Sequence, residues 1–346
     1  MTRLSIELLD LRHAREADRF VARHPLGSPF HETRWLELVR STFRFETQTL
    51  VAWRGREVAG LLPVALVTAP LTGRRLVSVP FGVYGGILSF DEESLHALDE
   101  AGQLLARRTS ARFLELRWMG PGPTRHEHFA LYETYRRALP AAPEGLLTSI
   151  PRKARAEVRK ALERHGLQTV AGPQLFDEFY RLYVDNKQGL GSPVFARRYF
   201  RRLLDLYGPR ARLHGMREPS GPLLAAVLSL QAGDTLYPYY SGAAAGSDRL
   251  GANNALYAGL MEHAVREGLR VFDFGRSRAN SGPAAFKRHM GFEPLALDYQ
   301  FYFPHGGHPP RINPDNPRMA LPRRILAGIP PWLARMVGPT IMRNVP

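Results

Sequence analysis

The sequence predicts an α/β protein of two similar domains, each with a mainly antiparallel central sheet. Three observations carry this. The apolar runs over residues 58–68 and 223–231 are too short to cross a membrane and fit buried central strands. Amphipathic segments with helical spacing flank both runs. The order of elements also repeats. In each half two helices precede an apolar hairpin, and a strand bearing tyrosine then leads to a glycine-rich loop, a helix and a further strand.

In the first half, residues 10–24 and 34–43 read as helices, the second with Trp35, Leu38 and Val39 on one face. Residues 45–53 are rich in β-formers, 54–56 form a turn, and 58–68 return as the central strand. The stretch SVPFGVYGG (78–86) places Phe81 and Tyr84 in a glycine-rich loop after a strand. Residues 92–111 carry Leu95, Leu98 and Leu105 on one helical face, and 113–118 read as a strand. In the second half the corresponding helices cover 173–183 and 195–207, and the strands cover 213–217, 223–231 and 235–241. The helix 253–267 ends at Gly268 before the strand 270–274.

Between the halves, residues 148–166 hold six Lys or Arg residues against Glu157 and Glu163 and read as a basic linking helix. After Tyr302 the chain turns rich in proline and arginine. Residues 305–346 hold six arginines and one acid, Asp315, with short amphipathic pieces at 321–329 and 332–342. The expected division is therefore 1–147, a link at 148–169, 170–304, and a basic tail at 305–346. The tail either straps onto the second domain or attaches to an anionic inner membrane surface.

Composition narrows the chemistry. A chain of 346 residues with 44% hydrophobic and 23% charged residues fits two folded domains. The absence of cysteine excludes disulfides, thiolate nucleophiles and cysteine metal sites. No metal site is expected, since the histidines form no H-E-x-x-H. Neither G-x-S-x-G nor a Walker A motif occurs. Residues 1–10 lack the apolar run of a secretory signal, so the cytoplasm is the expected compartment. A net charge of +15 points to a phosphate-bearing partner: RNA, an anionic lipid surface or a nucleotide-linked substrate. Only four basic residues are lysine: Lys153, Lys160, Lys187 and Lys287. A lysine inside a motif is thus informative, because a compact ammonium is not replaced by a planar guanidinium.

The richest motif is VFDFGRSRANSGPAAFKRHMGF, residues 271–292. It reads as a strand ended by Gly275, a polar loop over 276–282, and a short helix opened by Pro283 and closed by Gly291. Lys287 is the candidate for stabilising an oxyanion or binding a substrate phosphate. Asp273 would accept a proton or orient Lys287, and Arg276 and Arg278 would bind phosphates. Tyr239, Tyr240, Asn253, Phe81 and Tyr84 are candidate substrate contacts. The run Asp248-Arg249-Leu250-Gly251-Ala252-Asn253 approximates the pyrophosphate loop of CoA-dependent enzymes, one residue short, with Arg249 and Gly251 as its cofactor contacts.

These motifs resemble the FemAB family, and more narrowly the FemAB-like proteins associated with exosortase/PEP-CTERM systems. The matching residues are FDFG…AAFKRHMGFEP with the preceding helix NNALYAGLMEHAVREG, SVPFGVYGG, IPRKARAEVRKALERHGL (150–167), LGSPVFARRYF (190–200), NPDNPR (313–318) and GPTIMR (338–343). The resemblance implies two GNAT-like domains in tandem and metal-independent acyl transfer. In the family an amino acid moves from aminoacyl-tRNA to an amine of a peptidoglycan precursor. The PEP-CTERM-associated branch is linked to exopolysaccharide and envelope gene clusters. The 148–166 segment is too short for the coiled-coil arm of the peptidoglycan enzymes. The expected activity is N-acyl transfer to a cell-envelope or exopolysaccharide-related acceptor, from aminoacyl-tRNA or acyl-CoA, with no tightly bound cofactor. The alternatives are a non-catalytic protein holding RNA or an anionic glycolipid, and an acetyl-CoA-dependent acetyltransferase.

Overall fold

The computed structural model describes residues 3–69, 73–122, 126–308 and 324–344. The chain forms two compact units that interleave in sequence. Unit one comprises Met1–Tyr132, Ala296–Arg311 and Arg343–Pro346; unit two comprises Glu133–Leu295 and Ile312–Met342.

Unit one contains β1 (Leu4–Leu8), α1 (Ala14–Arg23), α2 (Thr33–Phe43), β2 (Glu46–Arg54), β3 (Glu57–Ala69), β4 (Gly73–Val77), β5 (Leu88–Ser89), α3 (Glu92–Arg108), β6 (Leu114–Met119) and β7 (Glu127–Phe129). β3 is buried without a break from Gly60 to Val67, as its apolar run demands. α2 buries Trp35, Leu38 and Val39 completely, and the Trp35 indole donates to the Pro80 carbonyl. The Asp91 side chain caps α3 by accepting from the Ser94 amide at 2.8 Å.

Unit two opens with β8 (Tyr132–Ala138), α4 (Leu146–Ser149) and α5 (Arg152–Arg159), followed by a π-helical turn at Lys160–Arg164. Then come β9 (Gln168–Ala171), α6 (Phe176–Gly189), α7 (Arg197–Tyr207), β10 (Ala211–Arg217), β11 (Leu223–Ala232), β12 (Thr235–Ala243), α8 (Ala252–Arg266), β13 (Val271–Arg278) and α9 (Gly282–His289). β14 (Pro294–Tyr302) returns to unit one.

The strand orders correspond. Unit one runs β1-β2-β3-β4-β6-β14 and unit two runs β9-β10-β11-β12-β13-β8. In each, an antiparallel meander ends at a parallel step across a helix. β4 meets β6 at Leu76↔Leu114 and Val77↔Glu115, and β12 meets β13 at Thr235↔Val271 and Leu236↔Phe272. The strand at 113–118 thus occupies the topological place of the strand at 270–274, as the repeat predicts. The sixth strand departs from the consecutive division. Each unit takes it from the other half of the sequence, so the boundaries at 147 and 304 are not those of the compact units.

The basic segment is not a solvated spacer. Pro151 interrupts it after α4, because the residue before a proline disfavours helical backbone. Ala154, Val158 and Ala161 then bury one face of α5 and the following π turn in the core of unit two beside Ala252, Ala255 and Leu256 of α8. Its charges occupy the remaining faces. In the tail, residues 313–318 lie outside the described residues. The second amphipathic piece forms a helix, Pro331–Asn344. Among the described residues no helix is long and apolar enough to cross a membrane.

Candidate functional site

β12 and β13 pair in parallel for two residues only, and the site lies beyond that point. β13 does not stop at Gly275 as the sequence suggests. It continues to Arg278, with Gly275 at φ +64 inside the strand. Glycine enters this region without a Cβ penalty. The Asp273 carboxylate, 1% exposed, accepts the Gly275 amide at 2.7 Å and fixes the kink. Arg276 and Arg278 are therefore strand residues, both half-buried, rather than loop residues.

α9 follows with Ser281 as N-cap, accepting from the Ala284 amide, and Pro283 in its first turn. Gly291 ends the segment at φ +86. This short helix delivers Lys287 back onto the kinked strand. The Lys287 ammonium, on a residue only 8% exposed, donates to the carbonyls of Gly275 at 2.8 Å and Arg276 at 3.1 Å. It also lies over the rings of Tyr135 and Phe274. Burial pushes its pKa down to about 7, against the pull of the Asp273 carboxylate and with the push of Arg276.

A second lysine, outside the motif, is influenced by the same arginine. Lys187, near the end of α6, lies over the Tyr183 ring. Its pKa is lowered by burial and by Arg276. Both lysines therefore feel the same guanidinium. α6 packs on β12, and the contact is tight at Gly242, where a Cβ would stand 2.4 Å from the Leu182 carbonyl. The rarity of lysine was the signal that could have found Lys187, since two of the four lysines converge here.

Of the aromatic candidates, Tyr239 is half-buried. It is the extra residue of a bulge, where the register shifts from Leu228↔Tyr240 to Ser229↔Pro238. Tyr240 is not a surface contact. It is 7% exposed, shares a 2.7 Å hydrogen bond with the Tyr199 hydroxyl, and packs among Phe195 and Phe200. Phe81 and Tyr84 are buried in unit one, Phe81 at φ +64 against Phe43 and Phe45, and Tyr84 beside Phe30. Packing accounts for their character.

The loop before α8 carries Arg249 exposed on a short 3-10 turn, Ser247–Leu250, and Gly251 at φ +69. α8 has no side-chain cap, and Asn253 sits half-buried in its first turn. Arg249 with an uncapped helix start suits an anionic ligand. A Cβ at Gly251 would lie 2.6 Å from the Glu157 carbonyl, so that glycine also serves the packing of α8 on α5. An open groove of about 550 Å³ runs along α6 and the end of β12, lined by Arg181, Asp185, Asn186, Leu190, Leu223 and Ala244.

Residues 149–288 match the family model of the acetyltransferase (GNAT) domain. Among solved structures, FemX superposes with a TM-score of 0.66 at 17% identity, covering 85% of this chain and 97% of FemX. A tandem GNAT protein from the clavulanic acid biosynthesis pathway gives 0.54 at 14% identity, covering 88% and 100%. This is a tandem GNAT fold. L-PGS from Bacillus licheniformis shares it, with a TM-score of 0.56 at 14% identity over 93% of this chain and 98% of that one. No curated protein matches the sequence. Within the residues that match the GNAT domain, the parallel pairing of β12 and β13 ends at Leu236↔Phe272, and Arg276 and Lys287 lie beyond it.

Proposed function

We propose that the protein is an N-acyltransferase that moves an acyl group from an activated ester or thioester to an amine of a phosphate-bearing acceptor. The observation that carries this reading is the buried Lys287 ammonium, bonded to the Gly275 and Arg276 carbonyls where β13 kinks, within the residues that match a GNAT domain. Positive side chains at this strand end attract an anionic substrate. In the reaction the neutral amine attacks the acyl carbon and a C–N bond forms. The C–O or C–S bond of the donor breaks, and the proton lost by the amine ends on the leaving group. Arg276 and Lys187 would hold the substrate phosphate. Lys287 would fix the strand end that bears Arg276 and lend its charge to the developing oxyanion. Asp273 would hold the Gly275 kink that makes this geometry.

The matched GNAT domain favours acyl-CoA as donor, held at Arg249 and the start of α8. The FemAB resemblance supports aminoacyl-tRNA and an envelope or exopolysaccharide acceptor, including the PEP-CTERM-associated setting. Inorganic pyrophosphate is a direct probe of the cationic site. Its affinity by titration calorimetry should fall about 10–100-fold in Lys187→Met, the loss of one hydrogen bond to a charged group. The exposed Lys153→Met should leave it unchanged. Equal affinity in the wild type and Lys187→Met would remove the phosphate role.

A further inference from the structure

The C-terminal helix Pro331–Asn344 exposes two large apolar side chains beyond what packing requires. Its small residues face inward: Ala334 is 5% exposed, and Gly338 presses so closely on Val194 that a Cβ would meet the Val194 carbonyl at 2.8 Å. Two of its large apolar residues face outward, Trp332 and Met336, each 63% exposed, while Leu333, Val337, Ile341 and Met342 are half-buried. An amphipathic helix of a soluble domain buries its large residues and exposes small or polar ones. Two more exposed apolar side chains belong to the same unit, Ile325 at 56% and Leu190 at 52%. Gln188, two residues before Leu190, donates to the Ile329 carbonyl and ties the end of α6 to the tail.

The side-chain charges of the tail after Asp315 have one sign. Arg324 and Arg335 are exposed, and no Asp or Glu occurs after Asp315. Arg335 also lies over the Tyr180 ring of α6. Exposed tryptophan and methionine on a tail whose only charged side chains after Asp315 are arginines, in a chain of net charge +15, match the two layers of an anionic bilayer surface. An apolar protein partner would account for Trp332 and Met336 but not for the one-signed charge.

We propose that Trp332, Met336, Ile325, Arg324 and Arg335 form a docking face for the surface of an anionic phospholipid membrane. The protein lies on that surface and does not cross it. The inference is independent of the acyl-transfer reading.

Co-sedimentation of the full chain with phosphatidylcholine vesicles, with and without phosphatidylglycerol, tests it. The protein should pellet with the anionic vesicles and stay in the supernatant with the neutral ones. Arg335→Glu should weaken partitioning at least about fivefold, and Trp332→Ser with Met336→Ser more than about tenfold. Both variants should keep the wild-type denaturation midpoint, because the altered side chains are exposed. Failure to bind anionic vesicles, or equal binding by the variants, overturns the proposal. So does a dimer in analytical ultracentrifugation that Trp332→Ser with Met336→Ser disperses, since the face would then belong to a second copy.

Discussion

Replacing Lys287 by methionine should lower turnover about 10²–10³-fold, the effect of removing one oxyanion donor worth about 2.7–4 kcal/mol. Methionine keeps the length of the side chain, and its thioether is compatible with the Tyr135 and Phe274 rings that surround Lys287. What disappears is the ammonium bonded to the Gly275 and Arg276 carbonyls. Lys287→Arg should rescue little, because a planar guanidinium cannot place its charge on the same two carbonyls. A loss confined to KM would reassign Lys287 to phosphate binding.

The same substitution has a pH signature. The Lys287 amine is pushed down to about 7 in the folded protein, below its unfolded value. Between about 7 and the ordinary lysine value near 10.4, the unfolded chain therefore binds more protons at this site than the folded one. Stability then rises with pH across that window, and the full penalty applies below it. Lys287→Met has no such term. Denaturant midpoints taken at acidic and alkaline pH should show the wild type gaining on the variant at the alkaline end. Parallel behaviour would mean that burial does not depress this lysine.

Gly242→Val should destabilise the protein by about 3 kcal/mol or more, the upper range for overpacking. A Cβ at this position would lie 2.4 Å from both the carbon and the oxygen of the Leu182 carbonyl and 2.5 Å from the Tyr183 amide nitrogen. These are backbone atoms in the middle of α6, so no rotamer change relieves the clash. The helix must lift from β12, and Lys187 moves with it. Gly282→Ala is the control, since a Cβ there meets nothing within 4 Å and should shift stability by less than about 0.5 kcal/mol. Urea unfolding reads both variants. A midpoint for Gly242→Val near that of the control would show that α6 does not press on the strand.

The repeat was legible because local patterns encode it. The unbroken apolar run of β3, the turn before it and the glycine ends of helices are readable without partners. The exchange of sixth strands was not legible, since pairing between distant segments leaves no local signature. β8 reads as the polar stretch YETYRRA, in which only Thr134 and Tyr135 are buried. Gly275 looked like a terminator, yet its left-handed backbone is absorbed within the strand by the Asp273 carboxylate. Asp273 and Lys287 stand out in the sequence through their motif. Lys187 sits in an ordinary helical pattern, and only the fold shows that burial and the Arg276 charge lower its pKa. The burial of Tyr240 could not be read from its own strand, because the neighbours that cover it, Tyr199 and Phe200, come from α7.

The most direct measurement follows a label. The purified protein is incubated with amine acceptors carrying phosphate groups and with acyl-labelled CoA or aminoacyl-labelled tRNA. The product bond is then identified by mass spectrometry and by its stability to hydroxylamine. The account predicts an amide, resistant to hydroxylamine, formed by the wild type, strongly reduced in Lys287→Met and requiring higher acceptor concentration in Lys187→Met. Product formed equally by Lys287→Met, or label recovered as a hydroxylamine-labile ester, would contradict it.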